Sequence, residues 1–179
     1  MGFGLNVEQR ARYVFKEIIH SFTLPVSRIR NLSFHCQEHG KDWNIEYKCE
    51  KSWFSRIYKL VIRYDFSTNL DNRDRVKINL DFSKKGWKQD HGVNRQFLKN
   101  LNNNQALLDL ISSLDFEKVT IEIGEKRGSM TFILIPGSFV WTLVPPMHYY
   151  IRLKKEEIRK MKSILNLLEV ETTKFEGSG

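Results

Sequence analysis

RNLSFHCQEHGKDWNIEYKC, residues 30–49, decides how this chain folds. A reversal at His39-Gly40 sets Cys36 opposite Trp43, Phe34 opposite Ile45, Leu32 opposite Tyr47 and Arg30 opposite Cys49. Apolar side chains then share one face, while Asn31, Ser33, His35, Asn44, Glu46 and Lys48 share the other. A half-buried antiparallel pair has this alternation, because a slip of one residue would turn every apolar group toward water.

Working outward, Asn6 followed by Gln9 reads as a capping box for a first helix, with Val7, Ala11, Val14, Ile18 and Phe22 as its apolar stripe. Pro25 ends it. Beyond the hairpin, Tyr58 to Phe66 and Val76 to Phe82 alternate as strands, and the glycine-interrupted segment Ser83 to Gly92 reads as a loop. Phe97, Leu98 and Leu101 mark a second helical region. It breaks at Asn102 to Asn104, and one of these caps a helix carrying Leu107, Leu110, Ile111 and Leu114. Val119 to Ile123 and Met130 to Leu134 pair as strands, Pro136-Gly137-Ser138 is a turn, and Phe139 to Val144 and His148 to Leu153 complete a meander around Pro145-Pro146. A closing helix runs from about Lys154 to Glu169.

The expectation is therefore an α+β fold: a largely antiparallel sheet with helices on one face, in the order α-ββββ-α-βββ-α. One globular domain covers residues 1–170, and residues 171–179 are a flexible tail. The order helix, strand, turn, strand recurs after residue 104, which hints at a weak internal duplication in pattern rather than in residues.

With 179 residues the chain can bury a core without metals or disulfides. A composition 41% hydrophobic and 12% aromatic excludes general disorder. The longest apolar runs are too short to span a bilayer, and no charged region leads into an apolar one at the N-terminus, so neither a membrane span nor a signal peptide is expected. Cys36 and Cys49 lie too far apart along the hairpin to bridge. Free, core-facing thiols suit a reducing compartment, and the expected location is cytoplasmic.

The net charge of +8 is concentrated. Half lies in residues 73–88 and half in residues 152–162. In the first stretch Arg73, Arg75 and Lys77 share a strand face, and Lys84, Lys85, Trp87 and Lys88 follow in the loop. Cations displace counterions from phosphates and an exposed ring stacks on an unpaired base, so this is the candidate binding surface. A charged solvent face with the tryptophan folded back on the core is the plainer reading. A second candidate is a groove formed by Trp141, Pro145, Pro146, His148 and Tyr150, where an edge strand beside aromatics could receive a partner. On the closing helix, Lys155, Arg159 and Lys162 align as a solvated basic face.

His35, Cys36, His39 and Cys49 are metal-ligand types, but strand parity sends His35 away from Cys36, so no metal site is expected. Asp115, Glu117, Glu122 and Glu125 form an acidic neighbourhood that could do acid–base work. No nucleophile elbow, phosphate-cradling glycine loop or zinc-protease helix occurs, and no cofactor is expected. The sequence thus points to a non-catalytic binding or regulatory module for an acidic macromolecule, an acidic protein before a nucleic acid. Nucleic-acid binding through residues 73–88 is the alternative, and an enzyme is third.

Overall fold

The structure, a computed structural model, describes residues 3–25, 29–38, 41–68, 76–83, 86–91, 95–124 and 126–176. Along the chain run α1 (Phe3–Ser21), β1 (Ile29–Arg30), β2 (Ser33–Glu38), β3 (Lys41–Lys51), β4 (Ser55–Ser67), β5 (Val76–Asp81) and β6 (Gly86–His91). They are followed by α2 (Arg95–Asn103), α3 (Gln105–Ser112), β7 (Phe116–Ile123), β8 (Arg127–Thr142), β9 (Met147–Tyr150) and α4 (Lys155–Glu176). All the strands join one antiparallel sheet in the order β1-β2-β3-β4-β8-β7-β5-β6, with β9 added to β8. The expected α+β architecture is what the chain adopts.

The first hairpin forms in the expected register, with Cys36 opposite Trp43 and Phe34 opposite Ile45. The reversal itself, at His39-Gly40, lies outside the described residues. At the other end the expectation fails. Asn31 takes a left-handed conformation (φ 53°), which asparagine tolerates better than most residues, and the chain doubles back so that Arg30 pairs with Ser33 rather than Cys49. Leu32 still reaches Tyr47, whose backbone N–H donates to the Leu32 carbonyl at 2.9 Å.

Cross-strand rows carry the core face through the sheet: Ile45 lies opposite Ile62, Ile62 opposite Phe132, and Phe132 opposite Val119, all fully buried. Period-two alternation puts Asn44, Arg63 and Thr131 on the opposite face. The helices cover the core face. From α1 it receives Ala11, Phe15 and Ile18, with Phe22 just after the helix, and from α4 Ile158, Met161, Ile164, Leu165 and Leu168. Asn104 is the cap that the asparagine run announced, its side chain accepting from the Leu107 N–H at 3.0 Å.

Four expectations change. The first helix begins at Phe3, so Asn6 lies inside it rather than capping it. Residues 86–91, read as loop, form β6 against β5, where Trp87 lies opposite Leu80. Pro136-Gly137-Ser138 is not a turn but a bulge within the single long strand β8, which continues along β4 on both sides of it. The closing helix runs on to Glu176 with Glu171 and Thr172 buried, so residues 171–176 are helical where a flexible tail was expected.

The bulge positions the site described next. Before it, residues up to Leu134 pair with both β4 and β7; after it, Phe139 to Thr142 pair with β4 and β9. Gly137 takes φ 88°, a conformation open to glycine, and its N–H donates to the Ile151 carbonyl at 2.6 Å. Past the bulge β8 pairs with β4 and β9 rather than β7, and the β3–β4 and β8–β9 turns emerge together at this end of the sheet.

Candidate functional site

Those two turns are the most apolar exposed region among the described residues. Trp53 and Phe54 lie in the turn between β3 and β4, and Leu143, Val144, Pro145 and Pro146 in the turn between β8 and β9, with Met147 and Tyr149 beside them. Trp53 is 84% exposed and Val144 69% exposed. Apolar groups of this size ordinarily go inside, so a cluster of them in water is a candidate contact surface. The turns are fastened together: the Leu143 N–H donates to the Phe54 carbonyl at 2.7 Å. Within the first turn the Ser52 N–H donates to the Ser55 carbonyl at 2.9 Å, and the Ser55 N–H returns to Ser52 Oγ at 3.0 Å. Within the second, the Thr142 hydroxyl donates to the Pro145 carbonyl at 2.7 Å.

Directly beneath the turns, on the core side of the sheet, runs one cross-strand row: Lys51 opposite Arg56, Arg56 opposite Trp141, and Trp141 opposite His148. Arg10 of α1 reaches the row, with Nη1 at 3.4 Å from His148 Nδ1. Like charges directly opposite each other weaken a strand pair, so the Lys51–Arg56 juxtaposition is one that folding does not favour. Lys51 makes no ion pair among the described residues. No carboxylate occurs in residues 51–64 or 126–155, the segments that carry both turns. The surface is therefore apolar at its tip and cationic at its base.

A rigid support lies below the row. Phe15 and Tyr47 rings stand 5.2 Å apart, Tyr47 and Tyr58 6.0 Å, and Tyr58 and Phe139 5.9 Å. Burial pushes the ionisation of Tyr47 and Tyr58 upward, so both phenols are neutral at physiological pH. Tyr150 is raised for the same reason, with the Leu153 backbone opposing and Glu17 adding to the effect.

The basic stretch is arranged differently from expectation. Arg73, Arg75, Lys84 and Lys85 lie outside the described residues. Lys77 is half-buried and 3.5 Å from Glu122, and Lys88 is exposed. Trp87 is only 4% exposed, which corrects its placement as a stacking ring in a loop. Asn102 of α2 holds it there: Asn102 Oδ1 accepts from the Trp87 N–H at 2.7 Å and Asn102 Nδ2 donates to the Trp87 carbonyl at 3.1 Å. The residues of the second candidate groove are all among those described. Trp141 and Tyr150 are half-buried, while Pro145, Pro146 and His148 are exposed, and all five gather at the sheet end just described.

Other candidates disperse. His35 Nδ1 pairs with Asn44 Oδ1 at 2.9 Å on the solvent face, whereas Cys36 is buried. Glu117 is bound by Lys59 at 2.6 Å and Glu122 approaches Lys77, so these carboxylates face separate cations rather than one another; Glu125 lies outside the described residues. Among the described residues no group of three or more His, Cys, Asp and Glu could hold a metal ion. On α4, Lys155 and Arg159 are exposed, but Lys162 folds back to donate to the Phe22 carbonyl at 3.1 Å. Sequence reading missed Trp53 and Phe54. The signal was present in Lys51-Ser-Trp-Phe-Ser-Arg56, a turn-length link that carries two large aromatics between cations.

Residues 18–171 match the family described as "Protein of unknown function (DUF3156)". The chain belongs to this family. The matched span contains both turns and the row beneath them. No curated protein and no solved structure matches the chain.

Proposed function

We propose that this chain is a non-catalytic binding module that recognises an acidic partner through the sheet end formed by residues 51–56 and 142–149. One observation carries the reading. Lys51 and Arg56 stand opposite each other at the foot of two exposed apolar turns, in segments that contain no carboxylate. A repulsive cation pair costs folding stability and gains meaning when an anionic surface settles over it. At residues 73–88 the nucleic-acid alternative lacks an exposed stacking ring, because Trp87 is buried.

Capture experiments at low and high salt test the proposal. Wild-type protein should retain acidic material at low salt and release it as salt rises, since such contacts are screened over about 8–10 Å. Lys51→Glu should abolish retention without lowering the melting temperature, because it sets a carboxylate opposite Arg56 and exposed charges contribute little to folding. Lys84→Glu with Lys85→Glu should have the smaller effect. Retention that survives Lys51→Glu but fails in the Lys84/Lys85 double variant would return the contact to the basic stretch. Nuclease treatment separates a nucleic acid from other acidic partners.

A further inference from the structure

We infer that the acidic partner is the surface of an anionic lipid bilayer, which the paired turns enter while the cationic row meets the headgroups. The inference rests on the sheet end being the contact surface. Three features select a bilayer over a folded protein.

The first is protrusion. Trp53 is exposed over most of its surface at the end of a hairpin, and Val144 stands beside it on the adjoining hairpin. A protein partner needs a preformed pocket for such side chains, whereas a fluid interface accepts them as they are. Tryptophan and tyrosine are also the residues that settle where hydrocarbon meets headgroups, with an apolar ring and a polar edge. Trp53 and Tyr149 supply that pairing here.

The second is backbone satisfaction. Exposed turns normally leave their polar groups to water, and a turn that enters a lipid interface loses water. These turns meet much of the need internally. The Ser52 and Ser55 N–H groups, the Leu143 N–H and the Phe54 and Pro145 carbonyls all have partners within the pair of turns. Pro145 and Pro146 have no N–H to satisfy.

The third is charge complementarity. Lys51, Arg56 and Arg10 stand at the base of the apolar tip, at the depth where phosphate groups would lie, with no carboxylate in either turn segment to repel them. The attachment inferred is peripheral, through the turns; no helix of the described residues is long and apolar enough to cross a membrane. It needs both hydrophobic entry and electrostatic attraction, as marginal anchors do.

Flotation with vesicles tests this. Wild-type protein should bind vesicles of equimolar phosphatidylcholine and phosphatidylglycerol, should bind phosphatidylcholine alone far less, and should dissociate as salt rises. Acyl chains brominated near the headgroup should quench tryptophan emission, and Trp53→Leu should keep binding while losing most of that quenching. Trp53→Ser combined with Val144→Ser should weaken vesicle binding about tenfold or more, the equivalent of losing burial of one large side chain. The melting temperature should hold. Should that double variant fail to fold, Lys51→Glu decides the question through lost binding to anionic vesicles. Wild-type protein that ignores anionic vesicles at low salt, or binds neutral ones equally, overturns the inference. If it ignores them yet still captures acidic protein in a Lys51-dependent way, the bilayer is wrong and the contact surface stands. If capture is also indifferent to Lys51, both fall.

Discussion

The Tyr47 hydroxyl donates a buried hydrogen bond to the Gly137 carbonyl, tying the middle of β3 to the bulge in β8 across β4. The bulge is what lets β8 change partner from β7 to β9, and the bond fixes it from the core side. The exposed turns are thus held by interactions well inside the molecule: the Tyr47–Gly137 bond, the aromatic chain from Phe15 to Phe139, and the Gly137–Ile151 backbone bond. A contact surface that presents apolar groups to water gains nothing from burial, so its geometry has to be imposed from beneath.

Tyr47→Phe should cost about 1–3 kcal/mol at neutral pH, because it leaves a buried carbonyl without its donor. In base that cost should shrink. Burial raises the Tyr47 ionisation above that of an unfolded tyrosine, which titrates near 10. The protonated phenol's contribution is complete below that value and is lost as pH climbs above it, since only the unfolded chain readily releases the proton. Urea midpoints measured from neutral pH to about pH 11 should therefore fall less steeply in Tyr47→Phe than in the wild type. Tyr58, Tyr64 and Tyr150 are raised in the same direction, so the slope shrinks without vanishing. Equal slopes would mean that Tyr47 is not sealed from water.

Gly137→Ala should be among the most damaging single-methyl additions. The new Cβ would stand 2.5 Å from Leu60 Cδ2, and φ 88° is strained for any side chain. Left-handed backbone alone costs about 1–2 kcal/mol for a non-glycine residue, and Leu60 is fully buried with little room to retreat. Chemical denaturation should show the loss. Vesicle flotation of whatever folds should show weakened binding, because the bulge aims the turns. A stable, fully binding Gly137→Ala protein would refute the structural role given to the bulge.

Trp87→Ala separates core from surface directly. As a side chain packed under α2, it should cost about 3–5 kcal/mol, with a large fall in melting temperature. Asn102→Ala should cost about 1–3 kcal/mol by stripping two backbone groups of their partners. An unchanged melting temperature in Trp87→Ala would put the ring back in solvent and revive base stacking.

The fate of Trp87 also shows what was legible in the sequence. Strands whose two faces differ in polarity announced themselves, and Cys36 opposite Trp43 was readable to the residue. β6 was not, because Gly86-Trp-Lys-Gln-Asp-His91 has no alternating apolar pattern. It is an edge strand whose far side is met by an asparagine side chain rather than another strand. β8 read as two pieces because proline and glycine together usually signal a turn. In a bulge the missing proline N–H breaks no ladder bond, so the strand passes through. The gathering of aromatics around Pro145-Pro146 was legible from the sequence. The cation row was not, since Lys51, Arg56, Trp141 and His148 become neighbours only once β3, β4, β8 and β9 are laid side by side. Trp53 and Phe54 escaped notice because large apolar residues are read by default as core.

The two thiols give the last test, and one on which the hairpin register depends. Cys36 is buried opposite Trp43, and Cys49 is half-buried opposite Tyr58; both are free. Burial, and then the nearby Glu38 charge, push the Cys36 thiol up from its ordinary value. At mildly alkaline pH its reactive thiolate is scarce, and the reagent must also wait for local opening. Native protein treated with a thiol reagent should therefore label first at Cys49, with Cys36 following at a rate limited by unfolding. Denaturant should equalise the two. A disulfide between the two in oxidised protein, or Cys36 labelling as fast as Cys49, would show that β2 does not turn Cys36 inward. A one-residue slip of β2 against β3 would do so, and it would send Phe34 to water as well.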